Sequence, residues 1–99
     1  MGGRQGFEWD DAKATDNLRR GRPAFEEVLQ FNFTTAIFGE DNRIDYGEVR
    51  IKAIGFVRER LHVLVYTERD GRIRVISFRK ANDREIKRYD RQTRSFHQN

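Results

Sequence analysis

The sequence predicts an α+β fold: two N-terminal helices and a C-terminal helix packed on a mainly antiparallel four-stranded sheet. Three observations carry this. Residues 48–80 hold three β-rich runs separated by turn signals, the pattern of a meander. Two stretches ahead of residue 31 and one after residue 81 place helix-start residues before spaced apolar positions. The 99 residues suffice for one modest core and are too few for two.

Residues 1–6 form a Gly-rich lead expected to be mobile, followed by a single domain over 7–94 and a tail at 95–99. Phe7-Glu8-Trp9 reads as a short strand or an apolar clip. Asp10 stands where a helix N-cap belongs, and Gly21 with Pro23 ends that helix near Arg20. Its few apolar residues, Ala12, Ala14 and Leu18, place it on the surface. A second helix is expected over 23–30, with Pro23 in its first turn and Ala24, Phe25, Val28 and Leu29 as its buried stripe. Residues 34–38 make a first main strand, and 39–47 are polar, acidic and loop-like. The last helix is expected over 82–94, where Asn82 and Glu85 have the spacing of a capping box and Ala81 and Ile86 that of a hydrophobic staple.

Within the meander, Asp70-Gly71 is a two-residue hairpin signal, since both positions tolerate positive φ. The resulting register pairs Arg69 with Arg72, Thr67 with Arg74, Val65 with Ile76 and Val63 with Phe78 on the core-facing side. A three-residue loop at Arg58-Glu59-Arg60 then puts Ile51, Ala53 and Gly55 on that side too. The opposite face is expected to gather Arg50, Lys52, His62, Tyr66, Ser77 and Arg79.

Charge points to the partner. Residues 1–49 hold 6 Lys/Arg against 10 Asp/Glu, a net of −4, whereas residues 50–99 hold 14 against 6, a net of +8. Clustered cations release counterions from a polyanion, so the second half is expected to meet nucleic acid. Arg greatly outnumbers Lys, and its planar fork suits phosphate. The competing reading is a solvated sheet face that carries charge for solubility. Membrane-surface binding would call for an amphipathic helix with a broad apolar face, which this half lacks.

Other chemistries find little support. There is no Cys, hence no disulfide, thiolate nucleophile or Cys-based metal site. No His or carboxylate pair has metal-ligand spacing, and no P-loop or dinucleotide fingerprint occurs, so no metal or cofactor is expected. No apolar run reaches the roughly 20 residues that span a bilayer, and no signal-peptide pattern opens the chain, which makes a cytoplasmic location the expectation. His62 and His97 are the only histidines, with His97 in the tail. A cation cluster with a His and a Tyr holds a phosphodiester and moves protons about it, and RNA supplies its own nucleophile in the 2′-OH.

The ordered motifs resemble one family. Phe7-Glu8-Trp9-Asp10 with Lys13 and Asn17 looks like the opening of BrnT toxins, and Phe25-Glu26-Glu27 resembles their next motif. Val65-Tyr66-Thr67-Glu68-Arg69 resembles the central strand. Arg74-Val75-Ile76-Ser77-Phe78-Arg79-Lys80-Ala81, with Glu85 and Tyr89, resembles the ending. The resemblance covers about residues 7–89. It implies a RelE-like fold and a type II toxin–antitoxin ribonuclease acting on mRNA, neutralised by a BrnA-like antitoxin that itself contacts operator DNA. Carried over by position, Arg79 and Arg50 are catalytic candidates, and the shared sheet face read from the register adds Lys52 and His62. Lys80, Lys13, Arg74 and Tyr89 are candidates for substrate binding, although the helical spacing of Tyr89 with Ile86 favours packing. One departure stands out: where the family usually carries Lys-His between its first two helices, this chain has Arg20-Gly21. That departure keeps a second reading open, a catalytically weakened or non-catalytic basic module binding nucleic acid or a partner. An enzyme for a small anionic substrate would need a deep pocket that the sequence does not indicate.

Overall fold

In a computed structural model, which describes residues 2–4 and 6–97, the sheet grows from two tight turns. Asp70 (φ 52°) and Gly71 (φ 76°) both take the left-handed region, so strand β5 (Arg60–Arg69) reverses into β6 (Arg72–Lys80) through two residues, as expected. Arg58 (φ 56°) opens a second two-residue turn with Glu59, pairing Val57 with Arg60 and joining strand β4 (Ile51–Val57) to β5. Strand β3 (Ile37–Glu40) borders β4, and the N-terminal strands β1 (Gly2–Arg4) and β2 (Phe7–Trp9) border β6. The order is β1-β2-β6-β5-β4-β3, with β2 parallel to β6 and the other pairs antiparallel.

The expected four-stranded, RelE-like sheet with two N-terminal helices is therefore corrected to a six-stranded mixed sheet. Of the two added strands, β2 takes up the short-strand reading of Phe7-Glu8-Trp9 and joins it to the sheet, while β1, three residues long, is too short for alternation to declare. Trp9 is buried against Phe25 in the core, while Glu8, on the other side of β2, pairs with Arg72 (3.3 Å) and Arg74 (2.9 Å) and ties it to β6. The expected mobility of the lead and tail falls partly on residues 1, 5, 98 and 99, which lie outside the described residues.

Helix α1 (Asp11–Arg19) begins as expected, with Asp10 Oδ1 accepting the Ala12 (2.8 Å) and Lys13 (3.2 Å) amides. The second helix is not α. Phe25–Gln30 forms a 3₁₀ helix, capped by Ala24 without a side-chain bond. Its buried residues Phe25 and Val28, with Phe31 following, recur every third position, the period of a 3₁₀ rather than an α-helix. Helix α2 (Asp83–His97) carries the expected capping box: Asn82 Oδ1 accepts the Glu85 amide and Glu85 Oε1 accepts the Asn82 amide, both at 2.9 Å. No helix among the described residues is long and apolar enough to cross a membrane.

Both sheet faces are covered. The first packs on α1 and the 3₁₀ helix through Ala53, Leu64, Tyr66, Val75 and Phe78. The second packs on α2 through Ile54, Leu61 and Val63, meeting Ala81 and Tyr89. Seven successive residues of β5, Leu61 to Thr67, are buried, as a central strand covered on both faces requires. Asn17, the family-motif residue of α1, is buried and donates from Nδ2 to the Pro23 and Phe78 carbonyls, each at 2.8 Å. Phe78 is fully buried, so Phe78→Ala is expected to cost about 3–5 kcal/mol through lost apolar contact and the cavity left behind. Urea denaturation of the two proteins measures this; a loss below about 1 kcal/mol would contradict the packing described.

Candidate functional site

Which residues share a face depends on register, and register differs from expectation at two points. The β4–β5 turn has two residues rather than three, so Lys52 faces Val65. In β6 a bulge between the Tyr66–Val75 and Val65–Ser77 pairs leaves Ile76 as an extra residue, and Val63 then faces Arg79 rather than Phe78. Each one-residue change inverts β5 relative to a neighbour. The two inversions cancel between β4 and β6. Lys52, Ser77 and Arg79 thus share a face as expected, but with Val63 and Val65 and beside α2, while His62 and Tyr66 turn to the first core.

Glu85 is the centre of the resulting cluster. Its Oε1 and Oε2 accept a two-pronged bond from Arg79 Nη1 and Nη2, both at 2.8 Å, and Oε2 lies 3.1 Å from Lys52 Nζ. The Arg79 fork, together with the Asn82 amide and Lys52, holds the carboxyl down to about 2 against the opposing cost of burial. The same bond raises the Arg79 pKa. Glu85 is buried, whereas the Arg79 and Lys52 side chains keep 29 % and 33 % of their surface exposed, so the two cations present themselves to solvent over a buried anion.

The acidic 39–47 segment adds to this face. Arg43 makes a two-pronged bond to the buried Asp41 (2.8 and 2.9 Å), and its charge reaches Arg79. That bond holds the Asp41 carboxyl at about 2. Arg50, one residue before β4, stacks over the Tyr46 ring at 3.8 Å and bonds Glu48 at 3.3 Å. The cluster is thus Arg79 and Lys52 on Glu85, with Ser77 alongside and the Arg43 charge near Arg79, while Arg50 is held apart by Tyr46 and Glu48.

The other candidates lie elsewhere. His62 is buried on the first face, stacked on Phe78 with ring centroids 5.2 Å apart, and desolvation lowers its pKa. Lys80 pairs with His62 across the strands and is exposed, and Lys13 is exposed on α1. Arg74 is largely buried and bound to Glu8. Tyr89 is buried edge-on to Phe56 and donates its hydroxyl to the Thr35 carbonyl at 2.8 Å, which is the packing role its spacing favours. Two residues of the cluster are not site candidates from sequence. Glu85 is legible as a cap and as a motif residue but not as the partner of two cations, and Arg43 sits in a loop whose path no periodicity encodes. Among the described residues, no three His, Asp or Glu side chains are grouped to hold a metal.

A family model described as "Ribonuclease toxin, BrnT, of type II toxin-antitoxin system" matches residues 9–85, which include Lys52, Arg79 and Glu85. Searches of curated proteins and of solved structures returned no match. With more than half its length matched, the chain belongs to the BrnT family of ribonuclease toxins of type II toxin–antitoxin systems.

Proposed function

We propose that this ribonuclease toxin is a metal-independent endoribonuclease that cuts mRNA in the cytoplasm and so inhibits translation, with Arg79 and Lys52 at the scissile phosphate. The observation that carries this reading is the pair of solvent-facing cations held 2.8 and 3.1 Å from one buried carboxylate. A preorganised pair of this kind stabilises the negative charge that develops on the non-bridging phosphate oxygens without reorganising during the reaction. The substrate 2′-oxygen bonds to phosphorus as the bond to the 5′-oxygen breaks, and the 2′ proton passes to solvent. Lys52 protonates the departing 5′-oxygen, because a guanidinium does not give up its proton. Glu85, ionised far below neutral pH, fixes the two cations and donates nothing. Arg43 and Arg50 extend the positive surface along the RNA backbone. A BrnA-like antitoxin neutralises the toxin by covering this surface, and operator DNA is met only through that antitoxin.

Purified protein incubated with a transcript in excess EDTA is expected to produce the same fragments at the same rate as in magnesium. Induction in a bacterium lacking antitoxin should arrest growth and shorten mRNA. Cleavage that requires added divalent metal would refute the mechanism. A second reading, a weakly catalytic or purely binding module, draws on the burial of His62 away from the cluster. Salt-sensitive RNA binding without fragments would select it.

A further inference from the structure

The sheet carries a second basic feature on the face opposite the Arg79 cluster. A cavity of about 490 Å³ opens between residues 21–23, the 58–59 turn and the ends of β5 and β6. This is within the roughly 300–1,000 Å³ of small-ligand pockets. Its wall carries Arg22, Arg58, Arg60, Lys80 and His62 together with the carboxylates Glu27 and Glu59. Two of these cations are committed: Arg58 bonds Glu27 and Arg60 bonds the Ala81 carbonyl, each at 3.2 Å. Arg22 and Lys80 have no ion pair among the described residues. Glu59, on the turn, is exposed.

His62 gives the cavity its selectivity. The residue is only 4 % exposed, and its Nδ1 lies 2.8 Å from the Arg60 carbonyl, so Nδ1 carries the hydrogen and Nε2 keeps its lone pair. No described group bonds Nε2. Yet no fully buried side-chain nitrogen or oxygen among the described residues lacks a partner, so Nε2 is reached by solvent, and the cavity that His62 lines is the route. Desolvation keeps the imidazole neutral near pH 7. Cations alone would accept any phosphate, but a neutral acceptor beside them calls for a ligand that offers both an anion and a hydrogen-bond donor. Within a nucleic-acid chain the donor that directly adjoins the backbone phosphate is the ribose 2′-OH, which DNA lacks.

We propose that this cavity is a ribonucleotide subsite in which Arg22 and Lys80 hold a backbone phosphate and His62 Nε2 accepts a hydrogen bond from the adjoining ribose 2′-hydroxyl. The subsite rests on RNA being the substrate but not on Arg79 being the cleavage residue. It makes the toxin select RNA over DNA at a position away from the scissile bond.

The test is fluorescence anisotropy on the full chain at fixed salt, with a labelled oligoribonucleotide and its 2′-fluoro counterpart, which cannot donate from that position and cannot be cut. Arg79→Ala serves as the background, to slow cleavage. The ribo form is expected to bind about tenfold more tightly, the scale of one hydrogen bond to a desolvated acceptor. His62→Phe keeps the ring stack and should bring the ratio near one. Arg22→Ala with Lys80→Ala should weaken both oligonucleotides alike and flatten the salt dependence. If His62→Phe does not fold, the imidazole ¹⁵N shifts of the unsubstituted His62 report the same contact: the ribo form moves Nε2 and the 2′-fluoro form leaves it in place. Equal binding of the two oligonucleotides, or a ratio untouched in a folded His62→Phe protein, overturns the subsite. An Arg79→Ala protein that still cuts RNA overturns only the cleavage assignment.

Discussion

Arg79→Ala is expected to lower single-turnover RNA cleavage by about 10²–10³-fold, the usual cost of removing one preorganised donor from a developing oxyanion. The physical case is the location of the guanidinium. It projects from the buried sheet, is 29 % exposed, and is fixed by a two-pronged bond to Glu85. Its position is therefore determined before RNA arrives. The stability cost should be small, about 1–2 kcal/mol, because Glu85 keeps Lys52 at 3.1 Å and the Asn82 amide at 2.9 Å. Arg79→Lys separates charge from geometry. It retains the cation but loses the fork, so cleavage should fall between the parent and Arg79→Ala. Labelled-RNA kinetics beside a circular-dichroism melt distinguish chemistry from unfolding. A well-folded Arg79→Ala protein that cleaves at the parental rate would remove Arg79 from the site.

What the sequence reveals of this molecule follows the range of the forces involved. Local chemistry is legible: Asp10 caps α1, Asp70-Gly71 turns the hairpin, and Asn82 with Glu85 opens α2. Features that depend on one residue more or less are not. Ile76 bulges and the 58–59 turn is one residue shorter than the apolar pattern suggests, so the strand carrying His62 and Tyr66 is inverted. The unbroken apolar run of β5 is the signal that could have warned of this, because a strand buried on both faces has no alternation to fix its register. The Lys52–Arg79 pairing is legible despite that, since the two slips cancel. The strand at Phe7-Glu8-Trp9 is legible, but its place at the second sheet edge is not, for another reason. β2 adds to β6 through three pairs and an ion pair between residues more than sixty positions apart, Glu8 and Arg74. Glu85 shows how a local reading hides a distant one: the spacing that makes it a cap says nothing of the two cations it collects from β4 and β6.

That double duty makes Glu85→Ala the substitution with the broadest consequences. Stability should fall by about 2–3 kcal/mol at pH 7. The cap on the Asn82 amide is lost, and Arg79 and Lys52 are left facing each other without an anion. The loss stays below that of a fully buried pair because both cations keep solvent contact. Glu85→Gln should recover part of it, since an amide oxygen still accepts the Asn82 hydrogen. The pH dependence has a fixed sign. Glu85 is depressed to about 2 in the folded protein, from an ordinary value near 4.5, so its contribution is complete above about pH 4.5 and disappears as pH falls towards 2. Urea midpoints across that interval should therefore drop more steeply for the parent than for Glu85→Ala, and the two curves should approach each other in acid. Activity divides differently. Without the carboxylate the pair presents more net positive charge, so RNA binding should hold or tighten and KM should not rise. The guanidinium has lost its anchor, so kcat should fall by about tenfold or more. A rise in KM at constant kcat would mean instead that Glu85 serves only to hold the helix in place, and that Arg79 needs no partner to act.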